Sequence, residues 1–191
     1  MRWPIRVTGM VALALLAGPA FAAGPQVPFV PWKVLERGAE PAQKAFLLFW
    51  IPASPEQMRR SELITSTRLT AYSSRCIGMH VVRADDSPML EKLQAGKALP
   101  LAVLVAEGKE IARVIGDTGV LSANSVEAMV RNAFDTREAT LNAMLDQAGS
   151  KAASGDSAAA IALYKQVAAQ QCAFPRQART AQRSLRRLGV H

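Results

Sequence analysis

The central apolar stretch of the chain is Phe46-Leu47-Leu48-Phe49-Trp50-Ile51, ended by Pro52. A run of strand length with no polar alternation is the pattern of a strand covered on both faces, as beside parallel neighbours. Pro52-Ala53-Ser54-Pro55 then leads into a helix. Ser54 suits the N-cap, Pro55 the first helical position, and Gln57 is placed to return a hydrogen bond to the cap, making a capping box. From Glu56 to Arg75, Met58, Leu63, Ile64, Leu69 and Tyr72 recur at helical intervals and predict a helix that Thr65, Thr67 and Thr70 weaken. Cys76 to Asp85 reads as a second strand ending in the acidic turn Asp85-Asp86. Ser87-Pro88 opens the next helix and Gly96 closes it. Leu99-Pro100 leads an apolar strand through Val105, Glu107-Gly108-Lys109-Glu110 forms a hairpin turn, and Ile111 to Gly116 alternates as its return strand. Ser122 or Asn124 caps a helix whose stripe is Val126, Met129, Val130, Ala133 and Phe134. Upstream, Trp32-Lys33-Val34-Leu35 is followed by a short helix or loop over Glu36 to Lys44, with Pro41 in its first turn or as its breaker.

Beyond Thr136 the chain turns rich in alanine and arginine and nearly free of β-branched residues, a helical composition. Gly155-Asp156 marks a turn between helices, Ser157 to Gln170 a second helix, and Pro175 the punctuation before a third from about Arg176 to Leu188.

At the other end, Arg2 and Arg6 precede the apolar run Met10 to Ala17 and the small-residue pattern Ala20-Phe21-Ala22. This predicts a secretory signal peptide, residues 1–22. An uncleaved anchor is the alternative, but the apolar core falls short of the ~20 residues of a spanning helix. No cysteine follows the cleavage site to carry a lipid. The exported chain is then expected in the periplasm.

The sequence is half apolar and one-fifth charged, as in a globular protein. Without Arg2 and Arg6 it has 21 basic and 15 acidic residues, and the excess is uneven. Arg176, Arg179, Arg183, Arg186 and Arg187 stand together without an acid, and Arg176, Arg179, Arg183 and Arg187 follow a helical stripe. Such a basic face is either solvated or docks to an acidic protein or anionic lipid head groups. Nucleic acid is not expected for an exported protein.

Order and spacing over residues 27–135 resemble the thioredoxin-like superfamily. In that family a strand ending in Phe-Trp is followed, after three residues, by Cys-x-x-Cys at a helix N-terminus. The matching positions here are Ser54 and Gln57, neither a thiol, and the family's buried acid two residues before the Trp is Leu48. Serine forms no disulfide and no thiolate at physiological pH. The resemblance implies an α/β thioredoxin-like fold, a central mixed sheet with flanking helices, over residues 23–135, with a small all-α extension over 136–191. It also implies a cis bond before Pro100, where a trans proline at a strand start is the plain alternative. The family's peptide groove maps onto Trp50, Ile51, Pro52, Ser54, Leu99 and Pro100. Within the extension, Ala148, Gly155, Ala160 and Tyr164 resemble the small, glycine, alanine and aromatic positions of a tetratricopeptide repeat, although the bulky first-helix positions are poorly met.

The remaining candidates carry little chemistry. His80 lies inside a strand and His191 ends the chain, so no nucleophile-base pair or metal cluster is visible. Asp85-Asp86 reads as a turn, and no phosphate-binding glycine loop occurs. No cofactor is expected. Cys76 and Cys172 are the chain's two cysteines, and export places them where an even pair commonly closes. In the resembled topology the helix after Gly116 descends towards the end of the sheet where Cys76 sits, which favours a structural disulfide over two unrelated cysteines. The expected function is therefore non-catalytic binding of other envelope proteins, as adaptor, assembly factor or chaperone. A redox protein working through Cys76 and Cys172, or a structural subunit of an envelope complex, is the alternative.

Overall fold

A computed structural model describes residues 29–190. The expected signal peptide and His191 lie outside the described residues. Five strands form one mixed sheet: β1 (Lys33–Val34), β2 (Phe46–Ile51), β3 (Ile77–Val81), β4 (Leu101–Ala106) and β5 (Lys109–Ile115), in the order β1-β3-β2-β4-β5. β3 runs parallel to β1 and β2, while β4 is antiparallel to β2 and β5 to β4. Central β2 pairs on both edges, with Trp50 opposite Val81 on one side and Ala102 on the other. This order and sense, with a cis Leu99–Pro100 bond leading into β4, is the thioredoxin-like architecture.

Strand alternation divides the core. Phe46, Leu48 and Trp50 face one layer with Met79, Val81, Ala102 and Leu104; Phe49 and Ile51 face the other with Leu101 and Val103. The second face is covered by the short α3 (Ser87–Lys92), through Met89. The first is covered by α1 (Pro55–Arg60), a 3-10 turn (Glu62–Ile64), α2 (Thr67–Ser73) and α4 (Ala123–Ala153).

Several helix boundaries differ from expectation. The helix expected over 56–75 is three pieces, because Ser61 accepts from the Leu63 amide and Ser66 from the Leu69 amide, each restarting the chain. Ser66 also donates to Glu127 of α4 at 2.7 Å, which fixes α2 against that helix. The cap of α3 is Asp86, buried, and not Ser87; its carboxylate accepts from the Met89 amide, and Ser87 and Pro88 become the first helical residues. That helix ends at Lys92, four residues before Gly96.

α4 has 31 residues, about 46 Å, and runs unbroken through the expected division at residue 135. It stops at a Schellman turn in which the Asp156 amide bonds the Lys151 carbonyl and the Gly155 amide that of Ala152, with Gly155 at φ +83°. Asp156 then caps α5 (Ser157–Ala168) through the Ala159 amide. Ala148 and Ala160 are fully buried and Tyr164 nearly so. In α6 (Pro175–Arg187), Pro175 is the first helical residue and not punctuation before it. Among the described residues, no helix is long and apolar enough to cross a membrane.

Candidate functional site

The carboxyl end of β2 opens into Pro52-Ala53-Ser54, where the family would hold its cysteines. Ser54 caps α1 by accepting from the Gln57 amide at 3.2 Å. The reciprocal half of the capping box is displaced by one residue. Gln57 Oε1 accepts from the Ala53 amide at 2.7 Å and not from that of Ser54. The Gln57 side-chain Nε2 then donates to the Gly119 carbonyl at 2.6 Å, across 62 residues of sequence. The Gln57 side chain is thus a tie between α1 and the turn before α4.

That turn closes against the cis-proline loop. The Gly116 amide donates to the Pro100 carbonyl at 2.8 Å. A Cβ on Gly116 would lie 2.6 Å from the Val120 carbonyl oxygen and 2.7 Å from the Pro100 ring, so the approach demands glycine. Thr118 and Gly119 take left-handed φ values, and the Val120 amide returns to Asp117 at 2.8 Å. Three loops, 52–54, 99–100 and 116–120, therefore meet through hydrogen bonds at one end of the sheet.

The surface they offer differs from the expected groove. Trp50 and Ile51 are 1% and 0% exposed, and Pro52 and Pro100 are buried. Trp50 cannot touch a partner, because alternation places it on the same face as Leu48 and its ring packs 5.5 Å from that of Trp32. Trp32 is in turn held by a 2.8 Å bond from its indole nitrogen to the Leu63 carbonyl. Ile51 is consumed by the opposite core layer. Ser54 and Leu99 are half-exposed, and the exposed apolar residues beside them are Ile115 and Val120, which sequence reasoning passed over. The Leu99 amide is not open for a partner strand, since it donates to the Lys97 carbonyl at 3.1 Å; among the described residues its own carbonyl has no backbone donor. The missed contact could be anticipated only in part: Asp117-Thr118-Gly119 is a turn signal, but nothing local points it at Gln57.

On the other side of Ser54 lies an apolar cavity of about 410 Å³ between Val34, Pro52, Pro55, Met58 and Val81. Its rim carries Arg83 and Asp85. Asp85 accepts two bonds from Arg83 at 2.9 Å and one from Arg37 at 2.6 Å, and these hold its carboxyl far below the usual carboxylate range. It is an ion-paired turn residue. His80 is buried in β3 with its ring 5.9 Å from that of Phe49; burial, then the charge of Lys33, pushes its imidazole below the ordinary value.

Cys76 and Cys172 form a disulfide with a Cα separation of 5.8 Å. Cys76 precedes β3, which runs parallel to β2, so the bridge lies at the opposite end of the sheet from Ser54, with the full ~16 Å length of β2 between them. It is flanked by Arg75, whose guanidinium donates twice to the Ala173 carbonyl at 3.2 and 3.0 Å and lies 4.8 Å from the Phe134 ring. The expected basic face is present, but the residues that share one concavity are Arg176, Arg179, Arg183 and Arg186; Arg187 is exposed outside it.

No protein-family profile matches the chain, and no curated protein matches it in sequence. Among solved structures it is similar to a thioredoxin from Trypanosoma brucei brucei, at 18% identity over 47% of this chain and 75% of that one, with a TM-score of 0.32. It is also similar to the Malassezia sympodialis thioredoxin Mala s 13, at 14% identity over 47% and 76%, with a TM-score of 0.34. The role of each residue here rests on its own geometry.

Proposed function

We propose that this chain is an exported, non-catalytic thioredoxin-like module that binds another protein of the cell envelope, as an adaptor, assembly factor or chaperone. The observation that carries the reading is Gln57. Where the resembled family keeps a resolving thiol, this side chain makes two structural hydrogen bonds, to Ala53 and Gly119, and its neighbour Ser54 is a helix cap. Neither group can accept or release electrons. The binding surface in this reading is the rim of Ser54, Leu99, Ile115 and Val120, with the Leu99 carbonyl accepting from an extended partner segment. Export through residues 1–22 into the periplasm agrees with a disulfide in the folded chain. The helical extension over 136–191 resembles one tetratricopeptide repeat and serves in this reading as a fixed arm.

One observation favours the redox alternative. Cys172 is exposed and lies three residues before α6, whose N-terminus has no side-chain cap and whose dipole stabilises a thiolate. Insulin reduction by the pure protein separates the two. The binding-module reading expects no turnover above that of a Cys76→Ala/Cys172→Ala variant; turnover that this variant abolishes overturns it. A photo-crosslinker at Val120 should give a discrete envelope-protein adduct that one at exposed Lys165 does not.

A further inference from the structure

The charge of this protein is segregated. Residues 29–135 hold thirteen basic and twelve acidic side chains, whereas 136–190 hold eight basic and three acidic. Five of those eight are the arginines of α6, which has no acid. The inner face of the helix is fixed: Ala178, Ala181 and Leu185 are buried, and Gln177 donates to Glu138 and Asn142 of α4. All five arginines are therefore turned outward. Arg176, Arg179, Arg183 and Arg186, at spacings of 3, 4 and 3, border one shallow concavity about 15 Å long, with Thr180 and Gln182 between them.

Most of the other surface arginines are paired, exposed Arg60 and Arg131 excepted. Arg37, Arg59, Arg68, Arg83, Arg113 and Arg137 each form an ion pair with a carboxylate. None of the α6 arginines pairs with a described residue; Arg183 reaches only the Thr180 hydroxyl, at 3.3 Å. The patch also has no apolar anchor. Among the described residues, the large exposed hydrophobic side chains are Phe29, Val34, Ile111, Ile115 and Val120, none of them in the helical extension.

We infer that the outer face of α6 binds an anionic phospholipid surface, its guanidinium groups pairing with phosphodiester head groups. A tight protein partner buries aromatic or arginine anchors in well-packed pockets at the centre of its contact, whereas these arginines stand exposed around a shallow concavity with no aromatic side chain lining it. A charged bilayer needs only a one-signed outward row: each arginine near the surface contributes about 1 kcal/mol, roughly fivefold in partition. Guanidinium adds bidentate bonds to phosphate oxygens. This inference does not rest on the binding-module reading.

The test is co-sedimentation of the full chain with vesicles of phosphatidylcholine alone, or of phosphatidylcholine and phosphatidylglycerol in equal amounts, at low and high salt. The expected result is a phosphatidylglycerol-dependent partition that salt suppresses, that falls about fivefold for Arg183→Gln, and that falls several hundredfold for the Arg176→Gln/Arg179→Gln/Arg183→Gln/Arg186→Gln variant. The corresponding fourfold lysine variant should retain most of it. Pure phosphatidylcholine reports any insertion by other segments, which the variants leave unchanged. Equal sedimentation of wild type and the fourfold glutamine variant with the mixed vesicles overturns the inference. So does retention on immobilised polyglutamate without binding to those vesicles, which would make the partner an acidic polypeptide.

Discussion

Removing the Cys76–Cys172 bridge tests the joint between sheet and helical extension most directly. The bridge closes a loop of 96 residues in sequence separation, and its Cα separation of 5.8 Å is ordinary for a disulfide. In the chain-entropy picture, a loop of that length restricts the unfolded chain by about 4.7 kcal/mol. The native contacts around it do not run through the sulfurs: Arg75 donates to Ala173, and Phe174 packs 6.0 Å from Phe46 and 5.3 Å from Phe134. The loss is therefore carried by the unfolded state, and the folded structure of the variant should be native.

For a chain of this size a loss of 1 kcal/mol lowers Tm by about 2–4 °C, so Cys76→Ala/Cys172→Ala should melt about 10–20 °C below the oxidised wild type. Reduced wild type should melt with the variant. Calorimetry or circular dichroism reads the shift, and alkylation with intact mass verifies the redox state. Two free thiols in protein purified without reductant, or a shift under about 3 °C with the bridge proven intact, would refute the reasoning.

Two further outcomes follow from single side chains. Gln57→Ala removes the bonds to Ala53 and Gly119 and should cost about 1–3 kcal/mol, with faster amide exchange at Val120; unchanged exchange would show that the turn over 117–120 holds itself. His80 has its pKa lowered by burial, so below its ordinary value of 6.5 the unfolded chain takes up a proton that the folded chain refuses. Its contribution is full above pH 6.5 and is lost as pH falls below it; His80→Gln should flatten the dependence of Tm on pH in that range, and an unchanged slope would rule this out.

What the sequence made legible was local. The strand Phe46–Ile51, the cap at Ser54, the Glu107-Gly108 turn and the Gly155-Asp156 junction each announce themselves within a few residues, and the structure has them all. The pairing of the two cysteines was legible because there are only two. The helix over 56–75 misled because its apolar spacing survives the two breaks, while Ser61 and Ser66 act through their own backbone neighbours and leave that spacing intact. Asp86 and Ser87 are equally good caps by type, and packing chose the buried one. Trp50 was misplaced by analogy, although its alternation with Leu48 already pointed inward. The bond from Gln57 to Gly119 spans 62 residues and has no periodic signature at all.

The helical extension is not an appendage hinged to a finished domain. One core cluster runs from Phe46 and Leu48 of the sheet through Phe134 of α4 to Phe174, the N-cap of α6, and Leu185 within it. Phe46, Phe134 and Phe174 form a single aromatic contact set, with centroids 4.8, 5.3 and 6.0 Å apart. An unbroken α4, a disulfide and a doubly bonded Arg75 cross the same boundary. Truncation near residue 135 would strip Phe174 from the sheet core, so the two parts share one stability. α6 starts beside the disulfide, at the end of the sheet away from Ser54. A partner at the rim of Ser54, Leu99 and Val120 and a charged surface at the start of α6 would then meet opposite ends of a rigid body, and occupancy of one leaves the other open.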